Sequence, residues 1–332
     1  MNDQPILDGI SDEIHDIVDA AVPGALSRRA AVKRTAGLGA GTVAALALGS
    51  VPVALAALSR EAGAQTTSTV RQVLEFAFLL ENLESEFYKA VLGTSASAAV
   101  NNAFAPVRAQ ISALAEPTRT AVLNTFNLIS AHEIAHVNFL RTALSTGGTA
   151  PTYTPASFDF TGARGAGNGP FARATSELQF LLAATQAFED TGVRAYKGQA
   201  PNLMGAANAA TLTAALGIHS VEARHAARVR RIRRATNTAL DGLRYSGTIR
   251  GTGAAAAVAS NIASPPQAVV DGLNAIYGGA TPEGNVTQGG IDLTAVAANF
   301  GGANAVQEAF DEPLTRAEVV AIVQPFVVAT IS

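Results

Sequence analysis

The chain has 332 residues, 48% of them hydrophobic and 15% charged, with no Cys, no Trp and five His. Without cysteine there are no disulfides, no thiolate metal sites and no Cys nucleophile. A formal charge of -3 does not mark a nucleic-acid binder or a protein drawn to anionic membranes.

Residues 1–64 read as an export signal. Ser27-Arg28-Arg29-Ala30-Ala31-Val32-Lys33 places two adjacent arginines ahead of an uncharged stretch, Thr35 to Leu58, rich in Ala, Leu, Val and Gly. Ala62-Gly63-Ala64 then offers small residues at the spacing a signal peptidase accepts. The arrangement resembles a twin-arginine signal. It departs from one in its long acidic leader (Asp3 to Asp19) and in Ala31, where a large apolar residue is usual. The alternative is an uncleaved anchor, because the apolar run is long enough to span a bilayer. Either way the bulk of the chain is expected outside the cytoplasm, in the periplasm or secreted, and with the signal removed no membrane partner is expected.

The mature part opens with hydroxyls at Thr66 to Thr69. A helical pattern follows from Val70 to Leu92, stopped by Gly93. A shorter Ala-rich helical piece covers about 97–115. Pro117 opens a second long helix that runs to Ser145 and stops at Gly147-Gly148. Residues 146–170 hold many Gly and Pro and no helical period, so they form a long connection. A third helix is expected from about Phe171 to Lys197, ended by Gly198 and Pro201, and a fourth from about Ala206 to Thr236. Beyond Leu240 the chain is rich in Gly and Ala. Gly278-Gly279 and Gly289-Gly290 are turn signals there, and Thr315-Arg316-Ala317-Glu318 is a capping box leading into a late helix. The fold class is therefore all-α: a four-helix bundle over 65–239, with a long crossover between helices two and three. A Gly/Ala-rich C-terminal extension, 240–332, packs short helices on it.

The chemistry lies on the apolar seams, traced at spacings of three and four. Helix two reads Phe126, Ile129, Glu133, His136, Leu140, Leu144. Helix four reads Ile218, Glu222, His225, Val229, Ile232. Helix one reads Leu74, Ala77, Glu81, Glu84, Tyr88, and helix three reads Leu182, Thr185, Glu189, Gly192, Tyr196. Every seam thus carries a Glu where an apolar residue belongs, and the second and fourth add a His one turn on. The pattern occurs twice, Glu then Tyr seven residues later followed by Glu-x-x-His, which implies two halves around an approximate two-fold axis.

Four ionised carboxylates in one core need cations, and no Lys or Arg sits on these seams at that level. Two divalent ions supply the matching charge, with neutral imidazoles completing the coordination. Oxygen and imidazole donors without sulfur suit Fe or Mn, and Zn less well. Two Glu-x-x-His helices facing two Glu helices is the donor pattern of carboxylate-bridged di-iron and di-manganese bundles. All four His of the mature part (His132, His136, His219, His225) lie in these two helices.

Leu80-Glu81-Asn82-Leu83-Glu84-Ser85-Glu86-Phe87-Tyr88, His132-Glu133-Ile134-Ala135-His136, Glu222-Ala223-Arg224-His225 and Phe310-Asp311-Glu312-Pro313-Leu314-Thr315 resemble the ferritin-like domain proteins that include the desiccation-related proteins of bacteria and plants. The resemblance covers most of 66–332. It implies the ferritin-like fold and metal binding, and leaves the reaction open. By position it implies Glu133 and Glu222 as bridging carboxylates, Glu81 with His136 completing one metal, Glu189 with His225 the other, and Tyr88 and Tyr196 as phenols behind the ligands. Glu84 competes with Glu81 for the place on helix one. His219 is an extra ligand or an outer partner. His132, next to Glu133, points to the surface or to a neighbouring helix.

The arginines from Arg224 to Arg234 read as a solvated helix end that complements the macrodipole rather than as an anion site. No serine triad is available, since the histidines belong to the metal pattern. Three functions follow: a redox enzyme acting on peroxide or oxygen (catalase-like or ferroxidase-like), a metal-binding protein with little turnover, and a structural stress protein. The first is preferred, with a small oxidant as substrate. Assembly into a homo-oligomer stays open.

Overall fold

The computed structural model describes residues 69–146, 148–236, 273, 276–278, 281–298 and 302–331. Residues 1–64, expected to be an export signal, and residues 237–272 lie outside the described residues. Among those described, no helix is long and apolar enough to cross a membrane.

The elements are α1 (Val70–Leu92), α2 (Ala98–Ala103), α3 (Ala105–Ser112), α4 (Thr118–Thr146), α5 (Leu178–Gln199) and α6 (Ala209–Thr236). A two-stranded ribbon follows, β1 (Thr287–Gln288) and β2 (Ile291–Asp292), then α7 (Thr294–Ala297), α8 (Gly302–Ala309) and α9 (Arg316–Val323). The expected all-α class holds, and four long helices, α1, α4, α5 and α6, make the bundle.

Local chemistry sets the ends. Thr69 caps α1 in a reciprocal box: its hydroxyl accepts from the Gln72 N–H at 3.2 Å, and Gln72 Oε1 accepts from the Thr69 N–H at 2.9 Å. Gly93, at φ 77, ends it in the left-handed region, and Thr94 N–H closes back on the Lys89 carbonyl at 2.8 Å. The expected box at Thr315 caps α9 through Glu318. Gly289 and Gly290 turn the ribbon with φ 58 and 81.

Helix three differs from expectation. Residues 172–175 form a separate 3-10 turn, and α5 starts only at Leu178. Arg173 pairs with Glu177 at 2.6 Å, and the first N–H of α5 is capped from outside by Gln110 Oε1 at 2.9 Å. Gly198 does not end the helix, which continues to Gln199. It is needed because the Leu314 carbonyl passes over it: a Cβ there would lie 1.8 Å from that oxygen.

Side-chain pairings fix the topology. Arg71 reaches the Leu144 carbonyl while Glu81 meets His136, so α1 and α4 are antiparallel. Asp190 meets Arg230 while His219 meets the Val193 carbonyl, so α5 and α6 are antiparallel. Tyr88 with Glu189, and Tyr196 with Glu81, make α1 and α5 antiparallel as well. Then α4 and α5 run parallel, and the stretch between them must cross the length of the bundle. That crossover is stitched to the chain end: Asp159 N–H bonds the Phe326 carbonyl at 2.8 Å and Val328 N–H the Ser157 carbonyl at 3.0 Å.

The core is apolar on both sides of one polar layer. On α4, Phe126 and Ile129 lie before that layer and Leu140 and Leu144 beyond it, all essentially inaccessible. Phe87 packs edge-on against Phe104, Phe160 and Phe188 at 5.0–5.9 Å, joining α1 to the crossover and to α5.

The C-terminal segment is held by a buried cation. Arg194 of α5 has no exposed side chain; it pairs with Glu283 at 2.7 Å and donates to the carbonyls of Glu312 (2.8 Å), Thr281 (2.6 Å) and Ile276. Next to it Asp190 accepts from Arg230 at 2.5 Å and from the Tyr277 hydroxyl at 2.8 Å. Arg233 turns in to Gln186. Of the α6 arginines, Arg224, Arg228 and Arg231 are exposed as a solvated helix end expects, but Arg230 and Arg233 are structural.

Candidate metal centre

The polar layer collects the six seam residues. Glu133, Glu189 and Glu222 have no solvent exposure; Glu81 and His225 have about none, and His136 is 9% exposed. His136 Nδ1 lies 3.0 Å from Glu81 Oε2, 3.4 Å from Glu133 Oε2 and 3.1 Å from Glu222 Oε1. His225 Nδ1 lies 3.0 Å from Glu133 Oε1, 3.3 Å from Glu189 Oε2 and 3.2 Å from Glu222 Oε2. Glu133 and Glu222 each turn one oxygen to either imidazole. Two donor groups result, Glu81–Glu133–His136–Glu222 and Glu133–Glu189–Glu222–His225, with two carboxylates in common, and the donor atoms of each lie within 4.8 Å of one another.

The orientation of these atoms tests whether a cation fits. Both oxygens of Glu133, Glu189 Oε2 and Glu222 Oε1 are buried without a hydrogen-bond partner, although imidazole nitrogens stand 3.0–3.4 Å away. Each imidazole bonds one carboxylate, His136 with Glu81 and His225 with Glu222, and the remaining oxygens crowd around it without a bond of their own, so the set points at common centres. Buried carboxylate oxygens left so are costly unless an ion satisfies them. The residues fit two cations.

The opposite oxygens of the outer carboxylates are braced crosswise. Tyr88 of α1 donates to Glu189 Oε1 of α5, and Tyr196 of α5 donates to Glu81 Oε1 of α1. Burial, then the neighbouring carboxylate, raises both phenols well above their ordinary range, so they stay protonated donors.

Without cations the site is electrostatically strained. Burial, then Glu222 and Glu81, raises Glu133 well above the usual carboxylate range. Burial lifts Glu189 to about 7 against the pull of His225. Burial would raise Glu222 too, but the two imidazoles hold it down at about 2. Burial would lower the imidazoles; their carboxylate contacts outweigh it and push His136 and His225 each up to about 12. Protonated imidazoles thus stand in for the cations.

A family model described as the ferritin-like domain matches residues 69–235, half of the chain, and that segment contains every residue of the centre. The chain belongs to the ferritin-like domain family. No curated protein and no solved structure matches it.

Around its centre this ferritin-like chain carries groups that spacing alone does not place. His132 Nδ1 stands 2.9 Å from His225 Nε2, the rings stacked at 5.2 Å, so His132 joins α4 to α6 behind a donor. His219 is apart from both donor groups and bonds the Val193 carbonyl at 3.0 Å. Glu84 is a fifth buried Glu, in the space left by Gly192: a Cβ on Gly192 would lie 3.3 Å from Glu84 Oε1. The Asp190–Arg194 network escaped the sequence reading altogether. Its only signal was an acid and a base four residues apart on α5, which an exposed helix face shows as readily.

Proposed function

We propose that the chain holds two divalent ions, Fe or Mn, through Glu81, Glu133, His136, Glu189, Glu222 and His225, and acts on peroxide or oxygen as an exported stress-protection protein. The observation that carries the metal reading is the set of buried carboxylate oxygens that converge on two centres and bond nothing. Two adjacent redox ions supply two-electron chemistry with small oxidants. The chain's own residues set the conditions for it. Glu133 and Glu222 span both positions, Tyr88 and Tyr196 hold Glu189 and Glu81 in place, and Phe126, Ile129 and Leu140 keep bulk water from the layer. Donors of oxygen and neutral nitrogen without sulfur favour Fe or Mn over Zn.

Peroxide and oxygen consumption by the chain loaded with Mn, and separately with Fe, tests the reaction. The loaded protein should turn over well above the free ions. Rates equal to the free ions would leave a metal-binding protein without this activity. Export, and with it a periplasmic or secreted location, rests on Arg28-Arg29 ahead of the uncharged stretch. The stress role rests on the resemblance to desiccation-related proteins. Replacing Arg28 and Arg29 with Lys should strand the precursor in the cytoplasm, and a double mutant that is still exported and cleaved sinks that reading.

A further inference from the structure

The two halves of the centre correspond position by position: Glu81 with Glu189, Tyr88 with Tyr196, Glu133 with Glu222 and His136 with His225. By the same offsets, Glu84 corresponds to Gly192 and His132 to Val221. The duplication is broken at these two places, and both breaks fall on one side of the centre.

Glu84 is 5% exposed and makes no hydrogen bond among the described residues. Its carboxylate reaches across from α1 to the bare Cα of Gly192, one turn from Glu189 on α5; a Cβ there would also lie 3.7 Å from Glu222 Cγ. It therefore stands against α5 on the Glu189 side of the centre.

His132 acts on the same side. His225 faces the carboxylates with Nδ1, so as a ligand through that atom it keeps its proton on Nε2, where His132 Nδ1 accepts it at 2.9 Å. An outer acceptor of this kind fixes ring orientation and tautomer and raises ligand basicity. His136 also faces the carboxylates with Nδ1, but its Nε2 has no protein partner among the described residues, and the position corresponding to His132 is an apolar Val221.

We propose that the two metal positions are inequivalent: the Glu189–His225 position, served by Glu84 and His132, binds its ion first and more tightly, and the Glu81–His136 position is the weaker, exchangeable one. This rests on the two-ion reading above. His132 and Glu84 are positioning residues here, acting on a ligand set that the other half lacks means to match.

The full chain, stripped with a chelator, is titrated with Mn(II) by calorimetry, and crystals holding one equivalent of Mn are measured at an anomalous wavelength. Wild type should show two steps separated by about tenfold or more, with the single-equivalent peak between Glu189 and His225. His132→Val and Glu84→Gln should each weaken the first step by about tenfold and leave the second nearly unchanged. Val221→His, which gives His136 its own outer imidazole, should tighten the second step, a gain that misfolding cannot produce. One step with equal affinities overturns the proposal and leaves the two-ion reading standing, as does a first peak between Glu81 and His136, or a His132→Val that weakens both steps alike. A wild type that binds no ion overturns both together.

Discussion

On one face of α5, Glu189 meets Glu133, Glu222 and His225; on another, Asp190 and Arg194 meet Arg230, Tyr277 and Glu283. Both clusters are buried and charged, and they handle burial differently. In the second, opposite charges meet within the chain: Arg194 meets Glu283 and three carbonyls, Asp190 meets Arg230 and a phenol. In the first, four Glu face two imidazoles, and four of their carboxylate oxygens have no hydrogen-bond partner. Burying a charge demands compensation in either case. A cluster that balances itself is a fastener, and one left with excess charge of one sign asks for its counter-charge from solution.

The largest effect that can break this contrast is at the shared carboxylates. Glu133→Ala and Glu222→Ala each remove a side chain that serves both positions, so both ions should be lost together, with any peroxide or oxygen consumption. Helix content should change little, because the seams keep Phe126, Ile129, Leu140, Val229 and Ile232. Elemental analysis alongside circular dichroism reads this out. Either variant retaining two ions would end the reading of a shared carboxylate layer.

The fastener should respond in the opposite currency. Arg194→Met leaves Glu283 buried without its cation, which costs about 3–5 kcal/mol of stability above about pH 8, where Glu283 is ionised, and less below it, where it can hold a proton. Denaturant unfolding measures it, and the fraction that remains folded should still bind two ions. The double variant Arg194→Met with Glu283→Leu should recover part of the loss, because an apolar pair of similar volume often replaces a buried ion pair at little cost. A double variant no better than the single one would mean that the backbone carbonyls, and not Glu283, are what Arg194 supplies.

The difference between the clusters also explains what could be read from the sequence. The metal layer was legible because a Glu or His on an apolar helical seam violates the pattern around it, and because the violation recurs on all four helices. Helix ends set by local chemistry, such as the Thr315–Glu318 box, were legible because cap and partner are three residues apart, while at Thr69 only the capping hydroxyl and not its partner Gln72 was read. What depends on distant partners was not. The late start of α5 is set by Gln110, 68 positions away, and Gly198 by the carbonyl of Leu314. Arg194 finds its partners 82 to 118 positions away, and Asp190, besides Gln186 on its own helix, meets Arg230 and Tyr277 40 and 87 positions away, in segments whose composition announces nothing. His132 was placed between surface and helix by its angle beside Glu133, and only the approach of α6 makes it the neighbour of His225.

A smaller and more graded effect separates the clusters by pH. Stripped of metal, the folded chain holds protons that the unfolded chain has released. His136 and His225, raised to about 12 from an ordinary value of 6.5, stabilise the fold fully below about pH 6.5 and progressively less as pH rises toward 12. Glu189, raised to about 7, and Glu133, raised by burial, act in the same direction over their own range. Glu222, held at about 2, works the other way only below about pH 4.5. Each retained proton contributes a slope of about 1.4 kcal/mol per pH unit. The melting temperature of the metal-free chain should therefore fall steeply from pH 6 to pH 9. Metal ions displace these protons, so the loaded chain should lose most of that slope and should release its ions at low pH instead. A shallower decline should persist in the loaded chain, because burial lifts Glu283 to about 8 in the self-balanced cluster, where metal has no influence. Glu283→Gln should then flatten the loaded curve up to pH 8 while leaving the metal-free one steep. If the metal-free and loaded curves run parallel, the imidazoles are not holding protons in place of the ions, and the contrast drawn between the two faces of α5 fails at its electrostatic root.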